Sequence, residues 1–512
     1  MSSVGISGLA AYLPRYRTQL KDWCEWTDGS WEKLKDVVGH SFRMRGHHQN
    51  VYTMAANAAL KLIQQYNIDP RSVGYFAFGT ESSTDNSAGA VIVKGLVDQG
   101  LEKIGLPSLS RYCEVPEYKH ACLGGVYALK GAARFLACDG ANSTAIVVAA
   151  DIAEYEQGST GEPTQGAGAV AMLLEPEAKM LAIDLSKSGS SADYRGPDFR
   201  KPFVRYAQQH AANNGQLRDY PVFNGYYSTN CYIDAVLVAL SNMFNKRGLD
   251  RSDYLKNLKA IFMHRPYTRM PETGLAMSYL YSLAMGKQED HSELKEYCEA
   301  ARVKFHDVIE ELSAKRDVYA CVEQGKINTP LFSRSLRVTR VLKRFESFRR
   351  IEAKMSLGWD IMKNVGNLYS ASLPAWIAAG LEDAFKRGVE LQGYDILTLG
   401  YGSGDAAEAI PMRAVKGWQK QASLIKFEEC FDGAIDVNQA QYSSLHGGRQ
   451  PVGLPIQTEG EFFIRRVGSA DNKDFDDEGL EYYGFDAGVS EEQPRPIDAE
   501  DPLGTQDSSE AQ

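Results

Sequence analysis

Three side chains of this sequence have types and surroundings suited to nucleophilic and acid–base chemistry: Cys122 in KHACLGGVYALKGAARF, Glu81 in FGTESSTDNSAG and His264 in IFMHRPYTRMP. Gly124 and Gly125 stand close behind Cys122, with a helix-forming run beyond them. The sulfur therefore falls near a helix amino terminus, where the dipole and free N–H groups favour a thiolate and lower its pKa. A buried structural thiol, with the glycines serving only helix packing, is the alternative this segment leaves open. Glu81 leaves an apolar stretch directly into a Ser/Thr/Asn-rich loop, a place suited to general acid–base work. A surface loop or a helix cap fits the same residues. His264 follows another apolar stretch and is flanked by Arg265 and Arg269, whose charges suit a phosphorylated carrier. A structural histidine is the alternative there.

A fourth segment, GYGSGDAAE from Gly400 to Glu408, reads as a backbone-donor loop opening a helix, where N–H groups bind anions. It lacks the Gly-Lys-Ser/Thr of a Walker loop and is too short for a dinucleotide fingerprint. Together the four segments supply a nucleophile, a base, a positioning donor and an anion hole. Gly-x-Ser-x-Gly and His-Glu-x-x-His are both missing, which removes the serine-hydrolase and zinc-protease readings.

The elements that must position these groups alternate. The opening VGISGLAAYLP reads as a strand and turn, residues 52–66 as a helix, 73–80 as a buried strand delivering Glu81, 122–138 as a helix, and 145–150 as a strand leading to Asp151. A second set follows: a strand over 258–263 before His264, a helical run over 366–381, and a strand over 394–399 before the glycine-rich segment. This predicts an α/β fold with a substantially buried sheet and polar residues at the strand ends, where α/β sites form. Residues 286–350 turn charged and helical, as an inserted or peripheral segment would. Residues 488–512 are acidic with Pro and Ser, and we expect a disordered, solvated tail there.

With 512 residues, 44% of them apolar, the chain is long enough for one large core or two fused ones. A net charge of −10 argues against a nucleic-acid surface, since phosphate neutralisation needs clustered Lys and Arg. The eight cysteines show no Cys-x-x-Cys pair and no regular Cys/His ligand spacing, so we read them as reduced thiols and expect no metal. The absence of a long apolar run and of a secretory-type start leads us to expect a cytoplasmic protein with no membrane partner.

Several segments resemble one family, the 3-hydroxy-3-methylglutaryl-CoA synthases of the thiolase superfamily: GTESSTDNSAG, KHACLGG, DIAEYEQGSTGEPTQGAGAVAML, DFRKPF, YYSTNCY, MHRPYTRM, GNLYSASL and GYGSG, in the family's order. The DIA-x-Y and GEPTQGAGAVAML block is the most specific, together with a Glu about forty residues ahead of the Cys. Thiolases use a second Cys instead, and ketoacyl synthases lack that Glu.

The resemblance implies that Cys122 takes an acetyl group from acetyl-CoA, and that Glu81 removes a proton from its methyl. The carbanion then attacks the ketone of acetoacetyl-CoA held near His264, and hydrolysis frees the product. Coenzyme A thioesters would be substrates, with no further cofactor. The Cys122 and Ser403 N–H groups would stabilise the thioester oxygen, with Gly402 beside them. Tyr155 and Asn367 would orient the acyl groups, Arg265 and Arg269 would meet the carrier's phosphates, and Asp85, Asp151 and Asp198 would be supporting carboxylates. The implied fold is the duplicated five-layer αβαβα thiolase arrangement, with halves at residues 1–180 and 181–485 and a homodimer as the assembly. Arg269 stands where the family usually carries Lys, and the acidic tail is additional. Two other functions share these residues: a β-branching synthase acting on polyketide chains bound to an acyl carrier protein, and a non-catalytic acyl-thioester-binding member of the family.

Overall fold

The computed structural model describes residues 4–85, 87–201, 220–472 and 475–488. The acidic stretch 489–512 and the end of the DFRKPF segment lie outside the described residues. Strand Val73–Gly79 (VGYFAFG) is aromatic and almost wholly buried, as a central strand covered on both faces must be. It pairs in parallel with Thr144–Ala153 on one side and with the short strand Glu117–Tyr118 on the other. Thr144–Ala153 continues antiparallel to Gly166–Glu175, and that strand to Gly5–Tyr12.

The second set comprises Ala260–Met263, parallel to Asp395–Gly402, which turns back antiparallel into Ala406–Ala414. Strand Leu181–Ile183 pairs with both Gly5–Tyr12 and Ala406–Ala414, joining the two sets edge to edge in a ten-stranded sheet. Helices Val51–Gln65 and Gly89–Lys103 cover the outer face of the first set. Helices Gly124–Ala137 and Ser372–Lys386 lie between the two sets, and Gly225–Arg247 and Arg269–Ala284 form the far layer. This is the helix–sheet–helix–sheet–helix order expected of the fold.

Three sequence expectations need correction. The segment Gly400–Glu408 does not open a helix: Gly402 pairs with Ala406, so Ser403, Gly404 and Asp405 form a hairpin turn, with Gly404 at φ +111°. A glycine-rich turn looks the same before a helix or a strand, and the antiparallel pairing of the continuously buried run after it decides for the strand. The helical run predicted over 366–381 starts late, at Ser372. Gly366 and Tyr369 are both left-handed, and Asn367 Oδ1 accepts from Tyr369 N at 2.9 Å, a local turn that competes with helix.

The inserted segment is helical as expected, with helices Gln288–Ala301, Phe305–Ser313, Ala320–Glu323, Ser333–Leu342 and Glu346–Glu352. It is not a loose appendage, however: Leu294, Tyr297, Val308, Val338 and Leu342 are buried in the main core. Near the other end, the hairpin Phe462–Val467 and Glu481–Phe485 returns to the first half, packing Phe462 and Phe485 against Leu60 and Leu101. Among the described residues, no helix is long and apolar enough to cross a membrane.

Candidate active site

Parallel register brings the first two groups together. Gly79 is level with Ala149, so two residues further on Glu81 and Asp151 emerge side by side at the carboxyl edge of the sheet. Asp151 is wholly buried and gathers donors from the turn beside it. Its Oδ1 accepts from Thr80 Oγ1 at 3.0 Å, Glu81 N at 2.7 Å, Ser82 N at 2.8 Å and Ser82 Oγ at 2.7 Å. The carboxylate therefore fixes the backbone from which Glu81 projects.

Cys122 reaches the same edge from the other side. Gly79 is also level with Tyr118, and Thr80 N donates to Tyr118 O at 3.1 Å. The chain then turns sharply, with Ala121 at φ +42°, before helix Gly124–Ala137 begins. A non-glycine residue held in that conformation next to a reactive side chain is strain of the kind found at active sites. The outcome is direct contact: Cys122 Sγ donates to Glu81 Oε2 at 3.4 Å. The glycines behind the thiol allow this approach, since a Cβ on Gly125 would come within 2.6 Å of the Ser370 carbonyl oxygen and 2.7 Å of Ala149 Cβ.

The thiol's ionisation differs from the sequence expectation. Burial, followed by the negative charges of Glu81 and Asp151, pushes the Cys122 pKa well above the ordinary thiol value. Cys122 stands one residue ahead of the helix N-cap, Leu123, so the dipole acts on it from outside the helix while desolvation acts on it fully. Burial, then Asp151, likewise raises the Glu81 carboxyl to about 8. The two groups thus rest as a neutral pair among Tyr155, Tyr369, Phe199 and Phe223.

His264 completes the set. It follows strand Ala260–Met263, and its N–H donates to Leu399 O at 2.7 Å, in line with the parallel pairing. It is buried, its Nδ1 has no partner among the described residues, and burial pulls its pKa down to about 3, so the ring is neutral. Cys122, Tyr155, Asp198, His264, Asn367, Tyr369, Tyr401 and Ser403 all line one cavity of about 490 Å³, with Arg269 at its exposed rim. Leu336 of the inserted segment also faces it. Tyr401 OH donates to Asp198 Oδ2 at 2.7 Å, and Asn367 uses Oδ1 internally. Among the described residues one group of three potential metal ligands, Asp198, Cys231 and Asp405, lies beside the cavity, and Arg195 already contacts it through Asp405 Oδ2 at 3.2 Å and the Cys231 backbone carbonyl at 3.1 Å.

Three of the expected substrate or supporting residues sit elsewhere. Arg265 is buried, its guanidinium 4.4 Å from the Trp359 ring and 5.4 Å from the Trp376 ring, donating to Trp359 O and Thr268 Oγ1 at 3.0 Å each. It holds the core together and does not face a carrier phosphate. Asp85 accepts from Gly89 N at 3.0 Å and from Tyr52 OH, capping helix Gly89–Lys103 and lining a separate cleft. Gly402 backs onto the cysteine loop, where a Cβ would come within 2.7 Å of His120 O. Tyr369, Ser370 and Tyr401 were not singled out from the sequence, although they stand inside the GNLYSASL and GYGSG segments.

The chain is similar to several known proteins. Residues 1–179 match the family model described as hydroxymethylglutaryl-coenzyme A synthase N terminal. Hydroxymethylglutaryl-CoA synthase of Haloferax volcanii is 24% identical over 464 residues, covering 87% of this chain and 92% of the relative. That of Enterococcus faecalis is 26% identical over 444 residues, covering 86% and 91%. A solved structure, MvaS in complex with 3-hydroxy-3-methylglutaryl coenzyme A, superposes with a TM-score of 0.73 at 24% identity, covering 94% of this chain and 99% of that one. That likeness establishes the fold.

Proposed function

We propose, from the premise that the chain belongs to the hydroxymethylglutaryl-CoA synthase family, that it condenses acetyl-CoA with acetoacetyl-CoA to give 3-hydroxy-3-methylglutaryl-CoA. The observation that carries this reading is the Cys122–Glu81 contact, made at the wall of a cavity that His264 also lines. In the first step Cys122 Sγ attacks the acetyl carbonyl carbon and the coenzyme A sulfur leaves with the thiol's proton. The apolar walls strengthen every remaining polar contact around the thioester.

In the second step the Glu81 carboxylate takes a methyl proton from acetyl-Cys122. The resulting enolate carbon forms a bond to the ketone carbon of acetoacetyl-CoA, and that oxygen becomes an alkoxide. A carboxyl poised near neutrality is well matched to this exchange, because it both accepts and returns a proton. Neutral His264 and the Tyr401–Asp198 pair border the space for the second substrate, where an imidazole N–H stabilises developing oxygen charge without adding a full cation. Water then cleaves the enzyme thioester, restoring the Cys122 thiol and releasing the product carboxylate.

Arg269, exposed at the rim, is the cation we assign to the carrier's phosphates. We further infer a homodimer working in cytoplasmic isoprenoid-precursor synthesis, to be checked by light scattering and by rescue of a mevalonate-dependent strain.

The test is incubation with acetyl-CoA followed by mass spectrometry of the Cys122 peptide, then addition of acetoacetyl-CoA. Wild type gains and then loses one acetyl group as product forms, and Glu81→Ala acetylates but does not condense. An unmodified Cys122 would refute the reading. Acetylation from an acyl carrier protein but not from acetyl-CoA would move it to the carrier-bound branch of the family.

A further inference from the structure

We propose that Ser370 is a positioning residue for the Glu81 base, tying its backbone to the loop that lines the acyl cavity. The inference rests on the condensation described above. Ser370 is fully buried, and its three polar contacts converge on the elements that carry the chemistry. Its N–H donates to Asp151 Oδ2 at 2.9 Å, its hydroxyl contacts the same oxygen, and that hydroxyl also lies 3.0 Å from Gly79 O. Gly79 is the last residue of the strand before Thr80 and Glu81.

Asp151 consequently has two differently used oxygens. Oδ1 holds the turn at Thr80, Glu81 and Ser82, while Oδ2 is held by Ser370 alone among its hydrogen-bond partners in the described residues. A buried carboxylate is rigid only when both oxygens are engaged, and a charge-assisted hydroxyl bond is the stronger of the two that Ser370 offers. The residues before it, Asn367 and Tyr369, line the cavity, and its carbonyl abuts the helix start behind Cys122 at Gly125. One residue thus couples the base, the thiol helix and the acyl-binding loop, and its hydroxyl makes the bonds to Asp151 and toward Gly79.

Such a residue acts on proton abstraction, which needs Glu81 over the acetyl methyl, and little on acetyl transfer, which needs the thiol. With Ser370→Ala, acetyl-Cys122 should form at a rate within about twofold of wild type, while single-turnover condensation of the preformed acetyl-enzyme with acetoacetyl-CoA falls by about tenfold or more. Ser370→Thr, which keeps the hydroxyl, should restore most of the condensation rate. Ser370→Cys, of similar volume but with a weak donor, should resemble Ser370→Ala and serves in its place if the alanine variant does not fold. Equal losses in both steps, an unchanged condensation rate, or failure of Thr to outperform Cys would overturn the proposal. A wild-type protein that never acetylates Cys122 would instead bring down the functional reading beneath it.

Discussion

Glu81, two residues past the end of its strand, stands abreast of Asp151 on the parallel neighbour, and the Glu81 N–H donates to Asp151 Oδ1 at 2.7 Å. The contact positions the base while its charge, added to burial, makes the base harder to ionise. The Glu81 carboxyl is raised to about 8, within reach of the pH at which the reaction must run.

The condensation rate of preformed acetyl-enzyme should therefore rise with pH through a midpoint near 8 and level off above it, because only the carboxylate accepts the methyl proton. Single-turnover rapid quench across that range measures it. A rate that is the same on both sides of the midpoint would exclude Glu81 as the base.

Stability should respond to Glu81 over a window that ends at that same value. Between the ordinary carboxyl value of 4.5 and about 8, the folded protein holds a proton that the unfolded chain has lost, so stability falls as pH rises through that window. Glu81→Gln cannot lose this proton and should gain on wild type as pH rises, by on the order of a few kcal/mol at the alkaline end. Melting temperatures of the pair at matched pH values test this, and parallel curves would count against it.

His264 works in the opposite sense. Its folded value of about 3 lies below the ordinary 6.5, so between those values the unfolded chain binds the extra proton. Its contribution to stability is complete above 6.5 and is lost as pH falls toward 3. His264→Gln should flatten the acid limb of the stability curve while abolishing most condensation and sparing acetyl transfer. An acid limb as steep as that of wild type would show that other groups govern it.

What sequence reasoning recovered was tied to strand ends. Glu81 and Asp151 each follow an apolar run, and parallel pairing of those two strands sets them side by side, which the sequence makes legible; His264 ends a strand of the other set and reaches Cys122 only through the cavity that both line. Properties set by burial were not. The elevated Cys122 thiol and the buried Arg265 between two tryptophans depend on neighbours far along the chain, such as Glu81 and Trp359. The hairpin at Ser403 and the return of Phe462 to Leu60 were missed for the same reason: pairing and docking partners lie outside any local window.

Gly125 has no room for a side chain. A Cβ there meets a backbone oxygen and Ala149 Cβ, neither of which has a flexible end that can swing away. Gly125→Ala should cost about 1–3 kcal/mol by overpacking and displace Cys122 from Glu81. Denaturant unfolding and the acetylation rate would both register it, and wild-type values in both would contradict this packing.

The two arginines after His264 should separate by phenotype. Arg269 is exposed at the cavity rim, so Arg269→Ala should raise KM for the coenzyme A thioester by about five- to twentyfold with little change in kcat, and added salt should shrink the difference. Arg265 is buried, its pKa drawn down to about 9 by desolvation, and stacked on Trp359 and Trp376. Arg265→Ala empties that stack and strands the Trp359 carbonyl, at a cost of about 2–4 kcal/mol, through loss of packing and cation–π contact. Its KM, measured on the fraction that remains folded, should match wild type. Urea unfolding and steady-state kinetics on both variants distinguish the roles: a stable Arg265→Ala with a raised KM would return that side chain to the carrier site, in conflict with its burial.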